Sequence, residues 1–599
     1  VDNWRYISGV PGMIALTMLL VLSCAKISSP SGGPKDTEPP VIVKSEPKNG
    51  TVMFTGRSFA VTFNEYVVLD RINEKFMVSP PLETKPDIKL KGKSLNVTWY
   101  DTLADSTTYT FYFQDAIRDN NENNPIPNYQ YVFSTGPVLD SLSLSGNVFG
   151  AFNLEPVEDG MVIMYSNLSD TAPRKLLPAY ISRPDLSGGF MINNIRPGHY
   201  RLYALKDLNG NGKYDLNDEM FAFSDSIIDI TPENNYSIVL DTVKYKPAVS
   251  TATTKPDIFT YGQYCLYAFV EDSKKQYLKF TERKSGWAVG FGLALPSDSG
   301  QVSAAILDAP AGSWFMENNA SRDTFMLWIT SKEIYERDVI ETLLTHPFTD
   351  STGTITEKTD TVILRYQKPA PARGGQRRTP ALKLTTNLAG KMKPGIILSF
   401  TGPTPLQDPD TSKIVLLQTV DSVETMIAHE FVRDSTNSRR IFMKAKLNPG
   451  ASYSLVCKGG AFTDLFGNAS DSTYYRFGIA TEDEFGSVTA RLSGYKGNVI
   501  VQLLGEKENV VKEVAVRSPG DVKFELLDKG RYRLKVIYDL DSSGSWTTGD
   551  FTLERQPEPV TYYPDELDVK INWALEQDWD IGRPYNKNVS LRDKPTARR

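Results

Sequence analysis

From about residue 38 onward, apolar and polar residues alternate in short runs separated by Gly, Pro, Asn and Asp. Ser58-Phe59-Ala60-Val61-Thr62-Phe63 and Thr108-Tyr109-Thr110-Phe111-Tyr112-Phe113 show the period of two expected of strands with one buried face. Helical periodicity is best developed over Ser331–Leu344, which predicts one short helix. Strands in this number without crossover helices predict all-β sandwiches. A chain of 599 residues is too long for one core and predicts several such units in tandem.

The two halves echo each other. Residues 103–136 carry Leu103, Tyr109, Phe111, Asp115, Asp119, Asn121 and Phe133-Ser134-Thr135, and residues 447–480 carry Leu447, Tyr453, Leu455, Phe462, Asp464, Gly467-Asn468 and Phe477. With Phe63-Asn64-Glu65 near its start, the first of these resembles the bacterial Ig-like domain of the S-layer-protein type. The second copy departs from the pattern, because Phe400-Thr401-Gly402 replaces the acidic signature. Likewise Phe190-Met191-Ile192 followed by Gly198-His199-Tyr200-Arg201-Leu202 returns as Phe524-Glu525-Leu526 followed by Gly530-Arg531-Tyr532-Arg533-Leu534. These strings resemble the small transthyretin-like sandwiches of bacterial surface proteins, with glycine turning the chain so that two strands pair.

The expected layout is an Ig-like unit at 38–137, a transthyretin-like unit at 138–250 and a middle β unit of unassigned type at 255–367. A Pro/Gly-rich basic linker at 368–378 leads to a second Ig-like unit at 379–482 and a second transthyretin-like unit at 483–581. The polar, basic tail at 582–599 is expected to be disordered.

The apolar run Met13–Leu22 is too short to span a bilayer and reads as the core of a signal peptide over 1–23. Ser23-Cys24 at its end resembles a lipobox, which implies that Cys24 is lipidated and that residues 24–37 form a tether. A net charge of −6 offers no basic field for a phosphate backbone, so nucleic acid is not an expected partner. Three cysteines cannot make a disulfide framework. Cys265 and Cys457 fall in different expected units, either as a cross-unit disulfide or as buried thiols.

Asp207, Asn209, Asn211, Asp215 and Asp218 stand at positions 1, 3, 5, 9 and 12 of a loop with Gly212 at position 6. That is the oxygen-ligand spacing of a calcium loop, and it resembles the dockerin variant. The equivalent place in the second half offers Asp539, Asp541, Ser543 and Asp550, with more neutral ligands. The other reading of both is an Asx-rich hairpin loop whose side chains cap backbone amides.

Catalytic sets are not apparent. His429-Glu430 lacks the second histidine of a zincin, His199 sits inside a strand, and His346 precedes Pro347 in an expected turn. Asp298-Ser299-Gly300 is read as a plain turn. Recurrent Asp-Ser/Thr steps such as Asp140-Ser141-Leu142 and Asp225-Ser226-Ile227 resemble the O-glycosylation acceptor of Bacteroidota envelope proteins; equally, they suit turn starts.

The start Cys24-Ala25-Lys26, with Ser31-Gly32-Gly33-Pro34, Pro47-Lys48-Asn49-Gly50, Phe63-Asn64-Glu65-Tyr66 and Ser79-Pro80-Pro81-Leu82, resembles the Ig-like-domain outer-membrane lipoproteins of Bacteroidota. The resemblance implies a non-enzymatic lipoprotein on either face of the outer membrane. It would act as a scaffold or accessory subunit of an envelope machine, including outer-membrane protein assembly, through an envelope protein partner. The alternative is a glycan-binding or adhesive lipoprotein using Trp287, Trp314, Trp328 and Trp546, and a hydrolase hidden in the middle unit is the third reading.

Overall fold

The computed structural model describes residues 36–216, 218–232, 264–272, 275–366, 381–420 and 423–582. The leader, Cys24, nearly all of the tether, the linker at 368–378 and all but the first residue of the tail lie outside the described residues. What is described is a series of β-sandwiches.

In the first Ig-like unit, strands Ile42–Glu46, Ser58–Phe63, Ser94–Thr98 and Asp87–Lys91 form one antiparallel sheet in that order. Met77–Ser79, Thr108–Gln114 and Tyr129–Ser134 form the facing sheet. The alternation of Ser58–Phe63 puts Phe59, Val61 and Phe63 into the core around Trp99, Phe111 and Phe133. Phe59 stacks on Tyr131 with ring centroids 3.7 Å apart. Thr108–Gln114 alternates in sequence yet is buried on both faces. Its outer face meets the next unit, where the Thr110 hydroxyl accepts the Asn194 amide at 2.8 Å and Tyr112 is buried.

The two small sandwiches share one topology. In the first, Leu142–Gly150 lies between antiparallel Gly189–Ile195 and parallel Tyr264–Ala268. In the second, Gly486–Ser493 lies between antiparallel Asp521–Leu527 and parallel Ala574–Asp580. The facing sheets centre on the duplicated Gly-x-Tyr strands Gly198–Lys206 and Gly530–Tyr538. The start of each pairs a short strand, Ile228–Ile230 in one copy and Leu567–Val569 in the other. Tyr200 and Tyr532 each donate a hydroxyl bond of 2.8 Å to the carbonyl four residues back, on Arg196 and Asp528.

Tyr264–Ala268 differs from the sequence expectation, which put it at the head of the middle unit. It completes the first small sandwich by pairing with Leu142–Gly150, a contact between residues more than a hundred positions apart that local pattern does not encode.

The middle unit is also a sandwich. Leu278–Ser285, Ala288–Leu293, Thr324–Ile329 and Trp314–Asn318 form one sheet; Ser303–Ile306, Val339–Thr349 and Ile355–Arg365 form the other. Two expectations are corrected here. Only Lys332–Tyr335 of the predicted helix Ser331–Leu344 is helical, and Val339–Thr349 is an eleven-residue strand paired along its length with Ile355–Arg365. Its alternation, with Ile340 and Leu344 inward, outweighs the helical spacing once a long partner strand is present. His346 is therefore in a strand and not a turn; it is buried, with Nε2 3.0 Å from an Asp360 carboxylate oxygen.

The second Ig-like unit sets Thr385–Thr386, Leu398–Thr401, Arg440–Ala445 and His429–Arg433 against Lys391–Met392, Thr473–Ile479, Ser452–Cys457, Ile414–Val420 and Val423–Met426. Trp287 of the middle unit stacks on its Phe466 at 5.1 Å.

The small sandwiches are joined to each other by an apolar junction. Phe551, in the loop after Gly530–Tyr538, is 4% exposed and buried against Tyr203, Tyr214, Phe221 and Phe223 of the first sandwich. Leu154 of the first sandwich packs reciprocally among Ile500, Leu504, Ile537, Val560 and Tyr562 of the second. The Lys535 ammonium, on a buried side chain, lies 3.2 Å from the centre of the Phe152 ring.

Removing the hydroxyl in Tyr200→Phe or Tyr532→Phe is expected to cost about 1 kcal/mol in each sandwich, because each deletes one equivalent hydrogen bond. Differential scanning calorimetry of each variant would show the loss, and a loss confined to one copy would break the equivalence. Phe551→Ala removes a buried ring and is expected to cost about 3–5 kcal/mol. Hydrogen exchange should then report faster exchange in both small sandwiches and unchanged exchange in the first Ig-like core.

Candidate cation sites in the duplicated loops

Each Gly-x-Tyr strand runs straight into an acidic loop. Lys206 pairs with Met220, which closes the first loop over 207–219; Ile537 pairs with Val560, which closes the second over 538–559. The sequence pattern places carboxylates and amides in both, and the strand register brings the start and end of each loop together.

In the first loop the Asp207 carboxylate caps the turn, accepting Gly210 N–H at 2.7 Å on one oxygen and Gly212 N–H at 2.7 Å on the other. Asn209 and Asn211 donate their side-chain amides to the two oxygens of Asp215, at 2.9 and 2.7 Å. Asp218 is exposed. Glu219, fully buried and absent from the spacing argument, accepts the backbone N–H groups of Leu208, Asp215 and Leu216. Glycines at φ 76° and 71° make the two tight bends at Gly210 and Gly212. The loop thus satisfies its carboxylates largely with its own N–H groups.

The second loop is arranged differently. Asp539, Asp541 and Glu558 bring ligand oxygens within 4.8 Å of one another, the single such group of carboxylate, histidine or cysteine ligands among the described residues. Glu558 accepts the N–H groups of Leu540 at 2.6 Å and Thr547 at 3.0 Å. Asp541 accepts the Thr547 hydroxyl at 2.7 Å and the Ser543 N–H at 2.9 Å, and these bonds, the hydroxyl foremost, hold its carboxyl below the usual range. Asp539 Oδ2 accepts Gly544 N–H at 3.2 Å, whereas its Oδ1 is buried without a hydrogen-bond partner.

Two of the four residues expected here from spacing do not join this group. Asp550 stands across a turn, accepting Leu553 N–H and bridging backbone to Arg555, and Ser543 donates its hydroxyl to the Ser545 carbonyl. Glu558 was not anticipated because it lies beyond the twelve-residue frame. The signal available for it was the duplication itself: both loops place a glutamate just ahead of the returning strand, Glu219 before Met220 and Glu558 before Pro559-Val560.

Other candidate chemistry is dispersed. His199 is exposed and 3.2 Å from Asp229, His346 is with Asp360, and His429 faces the Ile427 carbonyl, each in a different unit. Cys265 and Cys457 are free thiols, not a cross-unit disulfide, and only Cys457 is the buried thiol expected, since Cys265 is an exposed residue; desolvation raises both thiols above the usual range. A cleft of about 510 Å³ between the middle and second Ig-like units is lined by Glu317, Arg322, Arg433, Asp434 and Arg440. Its charges are largely matched within the chain: Arg433 with Asp408, Arg440 with Asp434, and Glu317 with the Ser438 N–H and hydroxyl.

No curated protein matches the chain. Among solved structures, the N-terminal part of the bacterial S-layer protein SbsC is 20% identical over 31% of this chain and 40% of that one, with a TM-score of 0.13. Escherichia coli alpha-2-macroglobulin spanning domains MG0-NIE-MG1 is 12% identical, covering 49% of this chain and 95% of that one, with a TM-score of 0.18. The Bacillus anthracis TIE protein is 10% identical, covering 51% and 57%, with a TM-score of 0.12. The alignment spans about two fifths of the SbsC structure. Residues 36–135 match the bacterial Ig-like domain family, on a chain that continues into further β-sandwiches.

Proposed function

We propose that this chain is a non-enzymatic lipoprotein, held at the outer membrane through Cys24, whose sandwiches serve as a multi-domain scaffold or accessory subunit of an envelope machine, such as one that assembles outer-membrane proteins. The observation that carries this reading is the buried junction between the two small sandwiches. Burying Phe551 and Leu154 each in the opposite unit fixes one sandwich on the other, which suits a part that holds partners at set positions.

Exposed strand edges give such partners a place to bind. Val423–Met426 ends its sheet with all four side chains exposed, and Asp87–Lys91 ends the first Ig-like sheet. The tryptophans that would form glycan platforms are engaged within the chain: Trp287 on Phe466, Trp314 to the Ala304 carbonyl, Trp328 to Glu317 and Trp546 to the Glu558 carbonyl.

Cys24→Ser is expected to move the chain from the membrane fraction to the soluble fraction, and mild detergent extraction of the unaltered chain to retain an envelope protein. Depletion is expected to lower the outer-membrane content of barrel proteins, read by quantitative mass spectrometry. An unmodified amino terminus on a monomer with no membrane partner would overturn the proposal.

A further inference from the structure

The second acidic loop lies at the junction of the small sandwiches and makes much of it. Thr548 donates its hydroxyl to the Val270 carbonyl at 2.7 Å, and Phe551 N–H donates to Glu271 at 2.6 Å. Gln556 donates to the Phe223 carbonyl and to Asp225. Arg174 of the first sandwich lies over the Phe551 ring, 5.6 Å from its centre. Gly549 permits the approach, since a Cβ there would lie 2.4 Å from the Phe269 ring. Residues 548–556 are therefore a clasp on the first sandwich, and Asp539, Asp541 and Glu558 stand at the clasp's two ends.

Three carboxylates converging in one place repel one another unless a positive charge is present. Asp539 is 6% exposed and Glu558 is 4% exposed, so water does little to screen them. Oδ2 of Asp539 is taken by the Gly544 amide, and Oδ1 is a buried polar oxygen with no hydrogen-bond partner. None of the described salt bridges brings a lysine or arginine to any of the three. The first loop differs at this point: Asn209 stands where Asp541 stands, and the asparagine amides supply the donors. An all-oxygen set of carboxylates suits a hard divalent cation such as calcium.

We propose that a hard divalent cation binds Asp539, Asp541 and Glu558, tying the two ends of the 539–558 loop together and so holding the clasp closed on the first small sandwich. The cation acts as a structural pin between the duplicated units. The proposal is independent of lipidation and of any envelope partner.

Terbium is a luminescent substitute for calcium, and the Trp546 indole, whose N–H donates to the Glu558 carbonyl at 2.9 Å, is placed to sensitise it. The full chain is expected to show tryptophan-excited terbium emission that calcium displaces. Asp541→Asn, at an exposed position, is expected to weaken terbium binding at least tenfold while leaving the fold intact, and Asp539→Asn with Glu558→Gln to abolish it. Asp207→Asn in the first loop should leave the signal unchanged. Calcium should also protect residues 540–556 of the unaltered chain from limited proteolysis, and Asp541→Asn should reduce that protection. Absence of emission from the folded chain, emission indifferent to Asp541→Asn, emission lost in Asp207→Asn, or cleavage indifferent to calcium would each overturn the proposal.

Discussion

Reciprocal burial of side chains between the two small sandwiches is the interaction on which the arrangement of the chain depends. Phe551 enters the aromatic cluster of the first sandwich while Leu154 enters the apolar face of the second, so neither sheet face is complete alone. Full burial of an aromatic or aliphatic side chain is worth about 1.5–3 kcal/mol, and these contacts are made by side chains in well-formed strands and in a loop that ends on them. The same economy of surfaces recurs at Thr108–Gln114, where the outer face of an Ig-like strand is covered by the first small sandwich. Two of the outer faces that a lone sandwich would leave in water are covered here by a neighbouring unit.

What the sequence made legible follows from how local each interaction is. Ser58–Phe63 was readable because one face meets its own core and the other meets solvent, so burial follows the period of two. The Gly-x-Tyr strands were readable because glycine, tyrosine and the carbonyl that tyrosine bonds lie within five residues, and both copies carry them. Tyr264–Ala268 was misplaced because its partner is the distant Leu142–Gly150, and nothing in its five residues names that partner. Val339–Leu344 reads as the end of a helix for a different reason: its partner is near, but Ile340, Leu343 and Leu344 fit a helical stripe until Ile355–Arg365 pairs beside them.

The acidic loops show a further limit. A spacing argument ranks the first loop above the second because it counts oxygen-bearing residues within twelve positions. The fold adds a criterion that spacing does not hold, namely which oxygens remain without donors after the loop has closed. In the first loop Asn209 and Asn211 turn their amides to Asp215, and Glu219 accepts three backbone N–H groups. In the second, Glu558 likewise accepts three backbone N–H groups and Asp541 likewise takes two donors, but Asp539 keeps one buried oxygen without a partner. Backbone donors satisfy both oxygens of Asp207 in one copy, whereas in the other, where three carboxylates converge, one buried oxygen of Asp539 has no partner.

That divergence fits the different positions of the two loops. The longer second loop carries Thr548, Phe551 and Gln556 onto the first sandwich, so its ends must be held at a defined separation for the aromatic ring to reach its place. A loop closed only by its own amide bonds can open one bond at a time. With the proposed cation bound, the converging carboxylates would join those ends through one shared charge, which would make opening all-or-none and link the order of the loop to the packing of two domains.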